Sequence, residues 1–182
     1  MERPESRGDG ASATEHKLLL FRLAERALAL SVKSVAQIIP MVTITPLPQA
    51  HPAVEGVINV RSKAIPVINL RCQQGLPDLP PGPYTPIILV EIGPRTVGLI
   101  VDEVLDVVTV SASDVLDLHE ILPDELGELP LLKGLVHAEG EPVLILAPHH
   151  LLHPRQVQAL EEALDALPTP LAGEVQDLAV AG

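Results

Sequence analysis

Aromatic side chains are nearly missing from this sequence: Phe21 and Tyr84 are the only two, and there is no Trp. Proteins that hold single-stranded nucleic acid stack its bases on aromatic rings, so that route is closed. Basic residues are scarce as well, with 12 Lys and Arg against 24 Asp and Glu, and a net charge of −12 repels phosphate backbones. Nucleic acid is not an expected partner. Cysteine occurs once, at Cys72, so no intrachain disulfide can form and the chain reads as a resident of a reducing compartment. With apolar neighbours such as Leu70, that thiol is expected to be a small buried or half-buried residue and not a reactive one. No apolar run reaches the roughly 20 residues that cross a bilayer. The opening stretch MERPESRGDGASATEHK also lacks the apolar segment of a secretory signal. A soluble, cytoplasmic protein is expected. No GxSxG, GxGxxG, GxxxxGK[ST] or HExxH segment is present.

What the chain does contain is a series of short, β-branched runs separated by turn residues. In order they are HKLLLFRLA, ALALSV, IIPMVTITP, GVINVRS, KAIPVINLR, TPIILVEIG, RTVGLIVDEV, LDVVTVSA and EPVLILAP. Runs of this length at this spacing indicate an all-β barrel or sandwich, and 19 prolines fit strand starts and edges better than helices. The two halves hold about five strands each, as two barrels side by side would. Turns are expected at Ser62-Lys63, Gly93-Pro94 and Gly140-Glu141, making adjacent strands antiparallel. One helix is expected over 154–167, with Val157, Leu160, Ala163, Leu164 and Leu167 on one stripe, Pro154 at its start and Pro168 ending it. Shorter helical turns are expected at Val32 to Ile38 and at Ser113 to Leu116, capped by Ser111 or Ser113. Residues 1–15 and 168–182 read as flexible tails around a domain at 16–153.

Three clusters offer chemistry. Asp102, Glu103 and Asp106 could pair carboxylates, but in a strand Glu103 points away from the other two, so the charged end of a hairpin is the better reading. His149, His150 and His153 could ligate a transition metal; nothing supplies a third fixed ligand, and a solvated loop before the terminal helix accounts for them. The third is a basic island, Arg61, Lys63 and Arg71. Residues 1–90 carry seven acids and nine bases, whereas residues 91–182 carry seventeen acids and three bases. Arg61 and Lys63 flank an expected hairpin tip, where side chains can meet a partner or protect an edge strand.

The island lies in GVINVRSKAIPVINLR, which resembles the pattern GvinlRG-x-(i/v)-P-v-i-d-L-r of CheW-like domains, adaptors of bacterial chemosensory arrays. Further resemblance lies in LALSVKSVAQII, TPLPQAHPAVEGV, TVGLIVDEVLDVVTVSASDV and LLKGLVHAEGEPVLILAPHHLL, so that it covers residues 16–153 in order. It implies two five-stranded barrels of the Src-homology-3 type around a common apolar core. It implies a non-enzymatic adaptor, without cofactor or metal. Its implied partners are the regulatory domain of a CheA-type histidine kinase, the cytoplasmic tips of methyl-accepting chemoreceptors and other CheW-like adaptors.

By the same resemblance Arg61 occupies a position used in kinase coupling and Val35 one on the receptor-facing surface, with Gln37, Ser62 and Lys63 beside them. Gln37 stands where the family commonly has Glu; the neutral amide forfeits charge assistance toward Arg61. Ser62 replaces a Gly, so a turn needing positive φ is strained or takes another geometry. Ala147-Pro148-His149-His150 replaces an acidic segment. The chain is too short for kinase or receiver domains, so a stand-alone adaptor is expected. Two other readings remain open: an adaptor of a non-flagellar pathway such as pili or development, and a metal-dependent enzyme built on the three histidines.

Overall fold

Continuous apolar runs such as Leu18-Leu19-Leu20-Phe21 and Ile87-Ile88-Leu89-Val90 have no polar residue to give to solvent, so both faces of each strand must be covered. The computed structural model describes residues 14–48, 50–122, 131–167 and 174–175 and shows how. The chain runs through β1 (Glu15–Leu23), β2 (Arg26–Ser31), β3 (Val35–Pro40), β4 (Val54–Val60), β5 (Lys63–Asn69), a short α1 (Leu70–Gln73), β6 (Pro86–Ile92) and β7 (Arg95–Ile100). It continues through β8 (Glu103–Ser111), β9 (Leu116–Asp117), α2 (Leu118–Ile121), β10 (Leu132–Ala138), β11 (Glu141–Leu146), α3 (Pro154–Asp165) and β12 (Glu174–Val175).

These strands form two sheets, ordered β8-β1-β2-β11-β10-β9 and β12-β4-β5-β7-β6-β3. Each has five longer strands plus one of two residues, matching the expected pair of five-stranded barrels. The barrels do not divide the chain into halves: the first is made of β1, β2 and β8 to β11, with most of the second inserted between. Hairpin neighbours are antiparallel as expected, while β2 with β11 and β5 with β7 pair in parallel.

Strand alternation sends neighbouring residues into different cores. Leu18 and Leu20 enter the core of the first barrel, with Val136, Val143 and Ile145. Ile87 and Leu89 enter that of the second, with Ile39, Ile58, Ile65 and Val67. Their chain neighbours Leu19, Phe21, Ile88 and Val90 meet in a third cluster between the sheets, with Leu30, Ile68, Val97, Leu99 and Leu146. Each of these side chains contributes roughly 1.5–3 kcal/mol when fully buried. α3 lays the expected stripe on this shared layer, with Leu160 buried and Val157, Ala163 and Leu164 packed against it; the helix closes at Asp165, two residues short of the expected end, and Leu167 packs on the same layer just beyond it. Its start is fixed by Pro154 and by His153, whose N–H donates to Gln156 Oε1 at 2.7 Å.

Several local expectations shift. The hairpin turns are Arg61-Ser62 and Glu139-Gly140, each one residue earlier than expected, because pairing runs on to Val60 with Lys63 and Ala138 with Glu141. Gly93-Pro94 is the β6–β7 turn as expected. The helical turn expected at Val32 to Ile38 is 3-10 only over Val32–Ser34; Val35 onward is drawn into β3 by pairing with β6. Likewise Ala112–Asp114 is 3-10 and Leu116 joins β9, while the Ser111 hydroxyl bonds that of Ser113 at 2.9 Å and caps nothing. Of IIPMVTITP only the first part is strand; the rest contributes a single bridge, Thr45 with Val57. Within the expected C-terminal tail, Glu174–Val175 pair in parallel with Asn59–Val60. Residues 1–13 and the remainder of 168–182 lie outside the described residues.

Pro66 sits mid-strand without cost. Its partner Val57 directs both backbone groups away from β5, to Thr45 at 2.8 Å each, and pairing with β7 begins only at Val67. The same bridge brings the Thr45 segment so near β4 that a side chain at Gly56, where φ is +149°, would collide with the Thr45 carbonyl and with Ile44. Gly56→Ala is therefore expected to destabilise the protein by at least about 2 kcal/mol, through strain and collision together. Urea unfolding checks this, and a cost below about 0.5 kcal/mol would refute the closure described.

Candidate functional site

The β4–β5 hairpin ends in two residues with left-handed backbone, Arg61 at φ +50° and Ser62 at φ +62°. Positive φ at both central positions is the signature of a type I′ turn, whose twist matches the flanking strands. Neither residue is Gly, so the tip keeps the left-handed geometry against a cost of roughly 1–2 kcal/mol per residue. Arg61, Ser62, Lys63 and Ala64 are all exposed. The result is a short, exposed projection carrying two cations in an acidic protein.

Val35 and Gln37 lie on β3, at the other end of the sheet's hydrogen-bonded order, opposite Val90 and Leu89 of β6. Val35 is half-buried against the shared layer, and Gln37 is half-buried as well. The structure thus gathers Arg61, Ser62 and Lys63 on one hairpin tip and Val35 with Gln37 on one strand. Lys63 also lines a groove of about 890 Å³ between β5, the β6–β7 turn and α3. Arg95 and Glu161 form an ion pair on that groove.

Arg71 leaves the basic island. Its guanidinium grips Asp102 with two bonds, Nε to Oδ1 at 2.8 Å and Nη2 to Oδ2 at 3.0 Å, and donates through Nη1 to the Pro77 carbonyl at 2.9 Å. Asp102 also accepts the Ala24 N–H at 2.6 Å, while its own N–H donates to the Arg22 carbonyl at 3.1 Å. Ala24 turns the β1–β2 hairpin of the first barrel, Arg71 follows β5 of the second, and Asp102 lies where the chain crosses between them. Behind Arg71 the buried Asn69 caps α1, accepting from the N–H of Arg71 at 3.0 Å, and donates to Glu55 at 2.8 Å and Asp78 at 3.3 Å. This clasp escaped the sequence reading because its ends are 31 residues apart and each looks like an ordinary surface charge.

The acidic cluster is dispersed accordingly: Asp102 is in the clasp, Glu103 pairs with Arg22 at 3.6 Å, and exposed Asp106 accepts the N–H of Val107 at 2.7 Å. The histidines are exposed, with His149 and His150 in a 3-10 turn and His153 capping α3. Among the described residues, no three His, Cys, Asp or Glu side chains are grouped to hold a metal. Burial, and the charges of Asp78 and Glu55, push the half-buried Cys72 thiol up, away from the reactive thiolate. What the hairpin offers a partner is an exposed cationic tip.

A family model described as a CheW-like domain matches residues 17–156, which takes in both barrels. The chain is 35% identical over 132 residues to a chemotaxis protein CheW of Thermotoga maritima, covering 72% of this chain and 84% of that protein. It is 29% identical over 130 residues to a chemotaxis protein CheW of Rhizobium meliloti, covering 71% and 83%. Among solved structures, the scaffolding protein TtCheW from Thermoanaerobacter tengcongensis superposes with a TM-score of 0.70 at 28% identity, covering 79% of this chain and 96% of that one.

The clasp gives stability a defined pH dependence. Burial pushes the Asp102 carboxyl up, but the hydrogen bonds from Arg71 and the Ala24 N–H, with the guanidinium charge, outweigh it and hold the group below its ordinary value. An acid depressed in the folded state binds its proton more readily when unfolded. Its contribution is therefore complete above the unfolded value near 3.9 and is lost as pH falls through the folded one. Asp102→Asn is expected to cost about 1–3 kcal/mol at pH 7, and the gap from wild type should narrow as pH falls from about 5 to 2. Urea unfolding across that range measures it; parallel pH profiles for the two proteins would contradict the clasp.

Proposed function

The chain belongs to the CheW-like domain family, and we propose that it is a non-enzymatic adaptor coupling methyl-accepting chemoreceptors to a CheA-type histidine kinase in bacterial chemotaxis. The observation that carries this reading is the family match across both barrels; the relatives' shared designation as chemotaxis proteins and TtCheW's as a scaffolding protein support it. An adaptor needs two surfaces held in fixed relation and no reacting group, and the architecture supplies a shared core with an exposed tip. Arg61, the first central residue of the type I′ turn, is assigned to kinase coupling, with Ser62 and Lys63 beside it and Gln37 of β3 in the place of its family partner; Val35 on β3 is assigned to the receptor-facing surface. The cytoplasm, at the inner ends of receptors, is the place where these partners meet. No described helix is long and apolar enough to cross a membrane. Contacts of this transient kind bury near or below ~1,200 Å² each and gain strength from multivalency in an array.

Reversing the charge at the tip tests the assignment. Arg61→Glu is expected to leave the melting temperature within a few degrees of wild type, since the side chain is exposed. In an array reconstituted from receptor, kinase and adaptor it should lower receptor control of kinase activity at least about tenfold, because a like charge is set against the partner's surface. Undiminished control by a well-folded Arg61→Glu protein would remove the role given to Arg61.

A further inference from the structure

The outer edge of β4 is used at two places. At Val57 it closes the barrel through the reciprocal bonds with Thr45. Backbone groups alternate sides along a strand, so the next outward-facing N–H and C=O belong to Asn59. There the chain's own C-terminal segment lies in parallel, Glu174 opposite Asn59 and Val175 opposite Val60, directly before the Arg61-Ser62 turn. Among the described residues the ladder is two residues long, against the five or six of an ordinary strand. Beside it the Asn59 side-chain oxygen is shielded from solvent and accepts no hydrogen bond. An acceptor left in that state favours whatever brings it a donor.

From this we infer that the β4 edge at Asn59–Val60 is a strand-addition site for an extended partner segment running parallel to β4, and that Glu174–Val175 occupies it in the free protein. β4 runs toward the cations Arg61 and Lys63, so the segment it fits, running parallel, carries acids directly after its paired residues. Main-chain bonds supply the affinity in this mode of recognition, and side-chain positions supply the specificity. A tethered occupant competes at high effective concentration, but a partner strand longer than two residues makes more bonds and reaches the tip as well. The chain's own segment therefore sets a threshold for docking at the tip. The inference rests on the proposed role of the β4–β5 tip as a docking surface for the kinase.

The test uses the full chain carrying Val175→Pro, which removes the N–H that the parallel ladder directs toward the Asn59 carbonyl. Hydrogen exchange at the Asn59 amide should rise at least tenfold, and the synthetic peptide LAGEVQDLAV, residues 171–180, should slow it again when added in trans. The regulatory domain of a CheA-type kinase should bind the variant at least threefold more tightly than wild type, and the peptide should compete with it. Unchanged exchange in Val175→Pro would overturn the inference outright. Faster exchange with equal affinity of the regulatory domain for both proteins would overturn strand addition by the partner, leaving the adaptor reading in place. Absence of binding to both proteins, with peptide rescue of exchange intact, would instead overturn the adaptor reading and uphold the edge as a strand-addition site.

Discussion

The apolar layer between the two sheets is the constraint on which the rest of the structure depends. β1 and β6 each give alternate residues to their own barrel and the intervening ones to this layer, so neither barrel can cover its strands alone. Without Trp and with only Phe21 buried among aromatics, the layer is built from Leu, Ile and Val, whose shapes interlock without a polar atom to satisfy. Chain order reinforces it. The first barrel is assembled from segments on both sides of the second, so the chain enters and leaves the second barrel through the first. α3 then lies on the layer's remaining flank.

Where the chain crosses between barrels, the polar clasp takes over from apolar packing. Arg71 and Asp102 are mostly buried, at 16% and 23% side-chain exposure, and the bidentate pair is completed by Ala24 and Pro77. Losing one partner there would leave the other charge uncompensated, which makes the clasp better suited to fixing the relative placement of the barrels than to adding stability. For an adaptor that is the relevant property. In the proposed adaptor role, two partners communicate through it only if its two surfaces do not drift relative to each other.

The strand runs and α3 were legible because their patterns are local: β-branched runs between turn residues, and a stripe of Val157, Leu160 and Leu164 behind Pro154. The hairpin tips were displaced by one residue because Val60 and Lys63 both suit a strand, and only pairing decides which of them turns. Val35 to Ile38 pattern equally well as a helical turn or a strand; β6 settles the matter by offering a partner. Of the candidate site, Arg61, Ser62 and Lys63 were legible as a tip. The separation of Arg71 from them was not, because its partner Asp102 is distant in sequence and in a different run. β12 left no trace in the pattern, since two residues carry no periodicity. The charge asymmetry gains a structural sense: the nearly neutral first half contains the β4–β5 tip, and one of its cations is internal.

The central claim is that the two barrels are one cooperative body joined by the shared layer. Leu99 belongs to β7 of the second barrel and is fully buried in that layer, so Leu99→Ala removes roughly 2–5 kcal/mol from a position both sheets use. Native-state hydrogen exchange of this variant is the most direct measurement, read at Ala29 and Leu30 in the first sheet and at Ile87 and Ile88 in the second. The account predicts that the slowest amides of both sheets lose protection by the same amount. Wild-type protection retained in the first sheet, while the second loses its own, would contradict it.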